Sequence, residues 1–247
     1  MRYLATIAAL AFLLSAQTQE VTLIAPGGAR AALDQLLPAF ERKTGIKVKA
    51  TIGSGLGTKQ QVARGELFDV PIVQPPYPEV LASGHVIAAS AKTLASVAVG
   101  LAVRKGAPRP DITTSEALRR VLLAAKSIAY PDPSGGAAAG VSFDQTLRQL
   151  GIATQIEPKL KRAQGGAGAM DLTAKGEAEL GLTFLSEMEN SGVEIVGPLP
   201  ASVSTPTSLV GFISAHSKNP AAANSLLDFL TSPQAAPVYK SVGMQPR

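Results

Sequence analysis

The sequence predicts an α/β fold of two lobes, each a mostly parallel sheet flanked by helices and joined by two hinge crossovers. Strand-like apolar runs alternate with helical segments in the first third of the chain, and glycine-rich turns open several of the helices. Two stretches of small residues or Pro, Ser and Thr, residues 88–95 and 199–208, connect strands and are interpreted as crossovers. They assign residues 17–92 and 207–247 to lobe 1 and residues 93–206 to lobe 2, with a cleft that closes by a hinge.

The individual elements follow from hydrophobic periodicity and from the residues that end each segment. Val21–Ala25 is a β-branched run, and residues 29–42 show helical spacing that Gly45 closes. Further strands are predicted at residues 46–52, 69–73, 97–103, 127–130, 179–184, 193–196 and 209–215. Further helices are predicted at residues 58–64, 77–83, 114–125 (with Ser115 as N-cap), from Gly136 to Leu150, after the turn at 164–168, and at 221–231 and 233–242.

Composition excludes several classes of protein. The 247 residues are 46% hydrophobic and 17% charged, which is typical of a chain with a packed core. The absence of cysteine excludes disulfides, thiolate metal sites and a cysteine nucleophile. His85 and His216 lie far apart in sequence and are interpreted as exposed polar residues, so no metal or cofactor is expected.

The charge balance favours a small anionic ligand. The formal net charge is +5, but no Lys/Arg cluster of the nucleic-acid-binding type is present and the chain has no Trp. The densest basic stretch, residues 159–162, is interpreted as a solvated loop or turn. We therefore expect no nucleic-acid partner.

The N-terminus resembles a cleavable secretion signal. Met1-Arg2-Tyr3 precedes an apolar run from Leu4 to Leu14 and a small-residue site at Ser15-Ala16. We expect residues 1–16 to be removed after Ala16 and the protein to reach the periplasm. A buried first strand or helix is the alternative interpretation.

Four glycine-rich turns are the candidate ligand site. They are Pro26-Gly27-Gly28, Gly53-Ser54-Gly55-Leu56-Gly57, Pro133-Ser134-Gly135-Gly136 and Gly165-Gly166-Ala167-Gly168. Glycine lets backbone N–H groups approach a ligand, and a helix N-terminus offers unpaired donors and a partial positive charge. Two turns belong to each lobe, so the sequence predicts that they face one another across the cleft.

Side chains near these turns could add to an anion site. Arg30 and Lys59 lie in the first turns of their helices, where they either pair with the anion or extend into water. The hydroxyls of Ser54, Thr58 and Ser134 either donate to the ligand or cap the helix behind them, and capping is favoured for Thr58.

Motifs of rival functions are absent. Residues 53–59 have neither the order of a phosphate-binding P-loop nor a complete G-x-G-x-x-G, because Thr58 takes the third glycine position. No G-x-S-x-G motif of a hydrolase occurs, and Asp69 and Asp132 are interpreted as structural turn residues. We expect a binding protein rather than an enzyme. A secreted hydrolase and a periplasmic sensor module are the alternatives from other classes.

The chain resembles the bacterial periplasmic solute-binding proteins of the molybdate-binding type, which have the type II binding-protein fold. The resemblance covers nearly the whole chain after the signal segment. It is carried by the strand, turn and helix at 21–36, by residues 53–69, by Asp132-Pro133, by Gly181-Leu182 with Ser186-Glu187, and by residues 228–236. It implies a monomer that captures a small solute and transfers it to an inner-membrane ABC permease.

Departures from the family pattern favour an organic carboxylate over molybdate. The resemblance places the family's two ligand-binding serines at Gly28 and Gly55, its backbone contacts at Ala139 and Gly166, and its ligand-binding tyrosine at Phe184. Three hydroxyl donors are therefore missing, and molybdate or tungstate becomes the alternative ligand. The expected ligand-binding residues are Gly27, Gly28, Ala29, Arg30, Ser54, Gly55, Lys59, Ser134, Ala139, Gly166 and Phe184.

Overall fold

The computed structural model describes residues 19–247, so the expected signal segment lies outside the described residues. The strands are β1 Glu20–Pro26, β2 Lys47–Gly53, β3 Val70–Val73, β4 Val86–Val97, β5 Val99–Arg104, β6 Ile128–Pro131, β7 Leu160–Ala163, β8 Leu180–Phe184, β9 Val193–Pro198, β10 Thr207–Ser214 and β11 Met244–Pro246. The α-helices are α1 Arg30–Thr44, α2 Gly55–Ala63, α3 Pro78–Ala82, α4 Ser115–Ala124, α5 Ala138–Gln149, α6 Ala153–Ile156, α7 Gly165–Ala174, α8 Pro220–Leu230 and α9 Ala236–Ser241.

The strands form two separate sheets, which confirms the predicted α/β class. The first sheet has the order β11-β4-β10-β3-β1-β2, and the second has the order β7-β6-β8-β5-β9. The expectation of mostly parallel sheets is wrong, because each sheet is mixed. In the first sheet β1 pairs in parallel with β2 and β3, whereas β10 and β11 enter antiparallel. In the second, β6 pairs in parallel with β7 and β8, and β5 is antiparallel to β8 and β9. β10 follows a connection from the other sheet rather than a crossover helix. Its direction therefore need not be parallel to that of its neighbours.

Strand pairing also shows where the chain passes between the sheets. Residues 88–95 were expected to be a linker, but they belong to β4 and pair with both β10 and β11. Pairing with these strands keeps the stretch extended, and Leu94 and Ala95 at its end are buried in the hydrophobic core. The passage to the second sheet lies at Ala98, and the return lies between Pro198 and Thr207. The lobe boundaries at residues 92 and 206 stay a prediction; below, lobe 1 and lobe 2 denote the first and second sheets with their helices.

Each lobe has its own buried aromatic and aliphatic residues. In lobe 1, α1 buries Leu33, Leu36 and Phe40. In lobe 2, the Tyr130 and Phe143 rings meet edge to face with centroids 5.3 Å apart. Among residues 19–247, no helix combines the length and the apolar character needed to cross a membrane.

Two local predictions need correction. Residues 159–162 are not a solvated loop, because Leu160–Ala163 forms the edge strand β7 beside β6. Its lysine side chain is held by a carbonyl group, because Lys161 Nζ donates to the Glu177 carbonyl oxygen at 2.6 Å. The N-cap of α4 is Thr114 rather than Ser115, since its Oγ1 accepts the Ala117 N–H at 3.1 Å.

Candidate functional site

A cavity of about 580 Å³ lies between the two lobes. All four glycine-rich turns line it, as the sequence predicted. Its lining residues are Pro26, Gly27, Gly28, Gly53, Ser54, Gly55 and Gln74 from lobe 1, and Pro131, Asp132, Gly135, Ala137, Ala138, Ala139, Arg162, Ala163, Gln164, Gly165, Gly166, Phe184 and Glu187 from lobe 2. We call this space the interlobe cleft.

The turns meet here because each follows the carboxyl end of a strand in the parallel part of its sheet. In lobe 1, β1 and β2 end at Pro26 and Gly53, and α1 and α2 follow. In lobe 2, β6 and β7 end at Pro131 and Ala163. In open α/β sheets this edge is where ligands bind, because helix N-termini and their free N–H groups converge there.

Two glycines of the cleft are required by the close approach of neighbouring groups. A Cβ at Gly166 would lie 2.5 Å from Glu187 Oε2 and 2.6 Å from Thr183 Oγ1. A Cβ at Gly55 would lie 3.0 Å from Gln74 Oε1 and 3.1 Å from the Ala138 Cβ of the opposite lobe. A side chain at Gly166 is therefore excluded unless the cleft walls move, whereas at Gly55 the neighbouring groups would have to shift by a few tenths of an ångström.

The lobes contact each other beside the cleft. Ser186 Oγ in lobe 2 donates to the Gly28 carbonyl oxygen in lobe 1 at 2.9 Å, and this bond is buried. The Leu56 N–H in lobe 1 donates to the Gly136 carbonyl oxygen in lobe 2 at 3.1 Å. The two lobes are therefore in direct contact beside the cleft.

Gln74 is a buried polar residue of the cleft that sequence reasoning missed. It follows β3 directly, its exposed fraction is 2%, and neither Nε2 nor Oε1 has a hydrogen-bond partner among the described residues. A buried polar group without a partner is unusual in a folded protein and indicates a place where a ligand or ordered water binds. No sequence signal distinguished it, since its burial depends on packing between distant segments.

Glu187 brings an ionisable carboxyl to the wall of lobe 2. Its Oε2 accepts the Thr183 hydroxyl at 2.5 Å, and Oε1 lies next to Gly27 of lobe 1. Burial raises the pKa of Glu187, although hydrogen bonds from the Thr183 hydroxyl and the Phe184 N–H act in the opposite direction. From the sequence alone, the Ser186-Glu187 pair was only one of the features that carry the family resemblance.

Arg162 is the one cation among the described residues that line the cleft. It lies on β7, its side chain is 43% exposed, and Nη2 binds Glu157 Oε1 at 2.7 Å. The hydrogen bond to Glu157 raises the pKa of Arg162, so the group stays charged. Arg162 was not among the predicted site residues, because residues 159–162 were interpreted as a solvated loop or turn.

The structure places part of the predicted site in the cleft and part outside it. Lining residues are Gly27, Gly28, Ser54, Gly55, Ala139, Gly166 and Phe184. The predicted residues that do not line it are Ala29, Arg30, Lys59 and Ser134. The ligand contacts themselves stay a prediction.

Three of the four residues outside the cleft have polar or charged side chains whose surroundings are defined. Arg30 is exposed at the start of α1. Lys59 Nζ donates to the Pro76 carbonyl at 2.7 Å and lies 4.0 Å from Glu79, in a neighbouring pocket. Ser134 is exposed and donates its hydroxyl to Asp132 Oδ1 at 2.7 Å.

The structure also shows the surroundings of Ser54 and of the two histidines that the sequence singled out. Ser54 Oγ accepts the Gly57 N–H at 3.0 Å, so it caps α2 while its hydroxyl proton stays available to the cleft. His85 and His216, distant in sequence, lie together outside the cleft with Nδ1 and Nε2 2.9 Å apart. That pairing has no sequence signal.

The fold and cleft define a solute-binding protein, and comparison with known proteins identifies its family. Residues 21–245 match the family model described as bacterial extracellular solute-binding protein, and the chain belongs to this family. The predicted resemblance to the molybdate-binding type is confirmed, and the chain is a solute-binding protein of the ABC importer family.

Two curated relatives differ in their stated activities. The chain is 33% identical over 245 residues to an aconitate isomerase of Pseudomonas sp., covering 95% of this chain and 91% of that protein. It is 30% identical over 235 residues to the molybdate-binding protein ModA of Azotobacter vinelandii, covering 93% and 91%.

Solved structures support the type II binding-protein fold. The periplasmic molybdate-binding protein of Azotobacter vinelandii aligns with a TM-score of 0.76 and 22% identity, over 92% of this chain and 99% of that one. The sulfate-binding protein SubI of Mycobacterium tuberculosis H37Rv aligns with a TM-score of 0.71 and 20% identity, over 92% and 87%. The predicted fold class is confirmed.

Proposed function

We propose that the protein captures a small organic carboxylate in the interlobe cleft and presents it to an ABC permease of the inner membrane. In this proposal the chain is exported, residues 1–16 are removed, and the mature protein acts in the periplasm. It binds the solute without changing it.

The observation that carries the proposal is the convergence of glycine-rich turns and one cation on a single cavity. Backbone N–H groups at the starts of α1, α2 and α7 favour a negative charge there. Arg162 adds a guanidinium group at the same wall, and this group is also paired with Glu157. Together these groups can neutralise a carboxylate from both lobes.

The shape of the cleft supports an organic anion rather than a tetrahedral oxyanion. Its volume of about 580 Å³ falls in the range of roughly 300–1,000 Å³ that is typical of small-molecule sites. Gly28, Gly55 and Phe184 contribute no side-chain hydroxyl. An Azotobacter relative is named for molybdate binding, whereas the Pseudomonas relative is named for an organic tricarboxylate.

A ligand panel tests the proposal. Thermal unfolding of the mature protein is followed with citrate, malate, aconitate, succinate, sulfate, phosphate and molybdate at equal ionic strength. At a concentration of 100 Kd a ligand adds about 2.7 kcal/mol, which raises Tm by roughly 5–10 °C in a chain of this size. We expect the rise with carboxylates. A rise with molybdate alone would overturn the proposal.

A second candidate function is isomerisation of an unsaturated carboxylate in the same cleft. Glu187 favours it, because a carboxyl with a raised pKa lies where the solute would bind, and the Pseudomonas relative is named an isomerase. Glu187 would take a proton from a CH₂ carbon beside a carboxylate. The C–H electron pair forms the new C=C bond, and the far alkene carbon receives the proton, so no oxidant is needed.

Isotope exchange separates the two candidates. Incubation with cis- or trans-aconitate in D₂O, followed by proton NMR, reports both interconversion and exchange at carbon. Isomerisation predicts both signals in the wild-type protein and their loss in Glu187→Gln. Binding without chemistry predicts neither signal at protein concentrations that saturate the ligand.

A further inference from the structure

Gln74 occupies the lobe 1 wall between two of the glycine turns. Its Nε2 lies 3.6 Å from the place where a Cβ of residue 28 would stand, and its Oε1 lies 3.0 Å from the corresponding place at residue 55. Gln74 lines the cleft beside both glycines, and its two amide atoms are buried without a hydrogen-bond partner among residues 19–247. The side chain is therefore fixed by its surroundings while its polar atoms stay free.

The free carboxamide has an energetic consequence. A buried donor or acceptor without a partner destabilises the folded protein, and the Gln74 side chain contains one group of each kind. Phe184, which borders Gly28 from the other lobe, has no polar side-chain atom to offer. A ligand that supplies both an acceptor for Nε2 and a donor for Oε1 removes both penalties.

We propose that Gln74 determines specificity by selecting an α-hydroxycarboxylate. One carboxylate oxygen accepts from Nε2, and the hydroxyl on the adjacent carbon donates to Oε1. The two ligand oxygens lie on neighbouring carbon atoms, so both bonds form side by side along the edge of the amide. This inference rests on the proposed capture of a carboxylate and names the class of carboxylate.

The same carboxamide discriminates against fully deprotonated oxyanions. Molybdate and sulfate present only acceptors, so they can satisfy Nε2 but leave Oε1 facing a negative charge. A carboxylate without a hydroxyl has the same deficiency. Leaving a buried polar group unpaired is the mechanism by which binding sites reject analogues that lack one hydroxyl.

Matched ligand pairs test the proposal by isothermal titration of the mature protein. Citrate differs from tricarballylate, and malate from succinate, by one hydroxyl. We expect the hydroxy acid of the pair that binds to be about tenfold tighter or more in the wild-type protein. In Gln74→Met, which keeps the side-chain length, the two members should bind within about twofold of each other. Gln149→Met, at an exposed position ending α5, should keep the preference.

A stability measurement separates specificity from a structural role. Because the Gln74 side chain has no hydrogen-bond partner among residues 19–247, Gln74→Met should not lower Tm without ligand. Equal affinity within each pair in the wild type, or an unchanged preference in Gln74→Met, would overturn the inference while leaving carboxylate capture intact. Binding of molybdate but no carboxylate would overturn both.

Discussion

The backbone N–H of Leu56 in lobe 1 donates to the carbonyl oxygen of Gly136 in lobe 2 at 3.1 Å. Gly136 has φ 77°, and a Cβ there would overlap the Leu56 side chain. The contact therefore depends on glycine in two ways: through its backbone conformation and through the space that it leaves for the other lobe. It joins two of the glycine turns that line or border the cleft.

Gly136→Ala should weaken ligand binding by about tenfold or more, since the added methyl group keeps the lobes apart. The left-handed conformation adds a stability loss of about 1 kcal/mol. Gly151→Ala is the matched control, because Gly151 also has a positive φ of 67°, does not line the cleft, and has no atom of the described residues within 4 Å of its Cβ position. Titration calorimetry and thermal unfolding of both variants measure the two effects. Equal affinity of the two variants would show that this contact plays no part in binding.

Arg162→Gln should reduce affinity for the anion by about tenfold, or about 1.4 kcal/mol, because a half-exposed cation is partly screened by water. Arg30→Gln is the control, since Arg30 is exposed and does not line the cleft. Affinity is measured at low and high salt, and Arg162→Gln should show the weaker salt dependence. A larger loss from Arg30→Gln than from Arg162→Gln would contradict this assignment of the cation.

Asp69→Asn should destabilise lobe 1 by about 3 kcal/mol and leave ligand affinity unchanged. Burial alone would raise the pKa of Asp69, but hydrogen bonds from Ser217, Thr22 and Lys218 outweigh it and lower the pKa. The folded pKa lies below the unfolded value of about 3.9. The stabilisation is thus complete above that value and is lost as pH falls through the folded pKa.

Urea unfolding at pH 7 and pH 3 tests the role of Asp69. The stability difference between the wild type and Asp69→Asn should be large at pH 7 and smaller at pH 3. A difference that does not depend on pH would mean that the Asp69 charge has no part in the stabilisation.

The affinity for an anionic ligand should decrease as pH rises through the raised pKa of Glu187. Burial favours the protonated carboxyl, and a bound anion favours it further. The same shift makes its stability contribution complete below the unfolded pKa of about 4.3 and progressively lost above it. Among residues 19–247, Asp132 and Arg162 are the other charged residues that line the cleft, and neither is a cause of the shift.

Titrations at several pH values from 5 to 8 check the role of Glu187. Affinity of the wild type should fall with rising pH, and Glu187→Gln should flatten the profile. Parallel profiles for the two proteins would assign the pH dependence to the ligand or to another residue.

Local patterns predicted most of the fold because periodicity and turn residues are local properties. Gly45, for example, ends α1 with φ 74°, as expected. Edge strand β7 was missed because its lysine and arginine residues resemble a loop, and because the strand it pairs with, β6, is distant in sequence.

The site was predicted less completely than the fold. The glycine turns were predicted because they follow the ends of strands, which the sequence pattern indicates. The direction of a long side chain cannot be predicted from that pattern. Arg30 therefore lies outside the cleft, whereas Arg162, on a strand that was missed, lies inside. Gln74 and Glu187 gain their character from tertiary burial, which one sequence does not reveal.

The most direct measurement is a crystal structure of the mature protein with the carboxylate that raises Tm most. We expect ligand oxygens within about 3 Å of backbone nitrogens from the glycine turns of both lobes, for example at Gly28 and Gly166. A ligand that contacts only one lobe, or that occupies another pocket, would contradict the proposal that the interlobe cleft is the binding site.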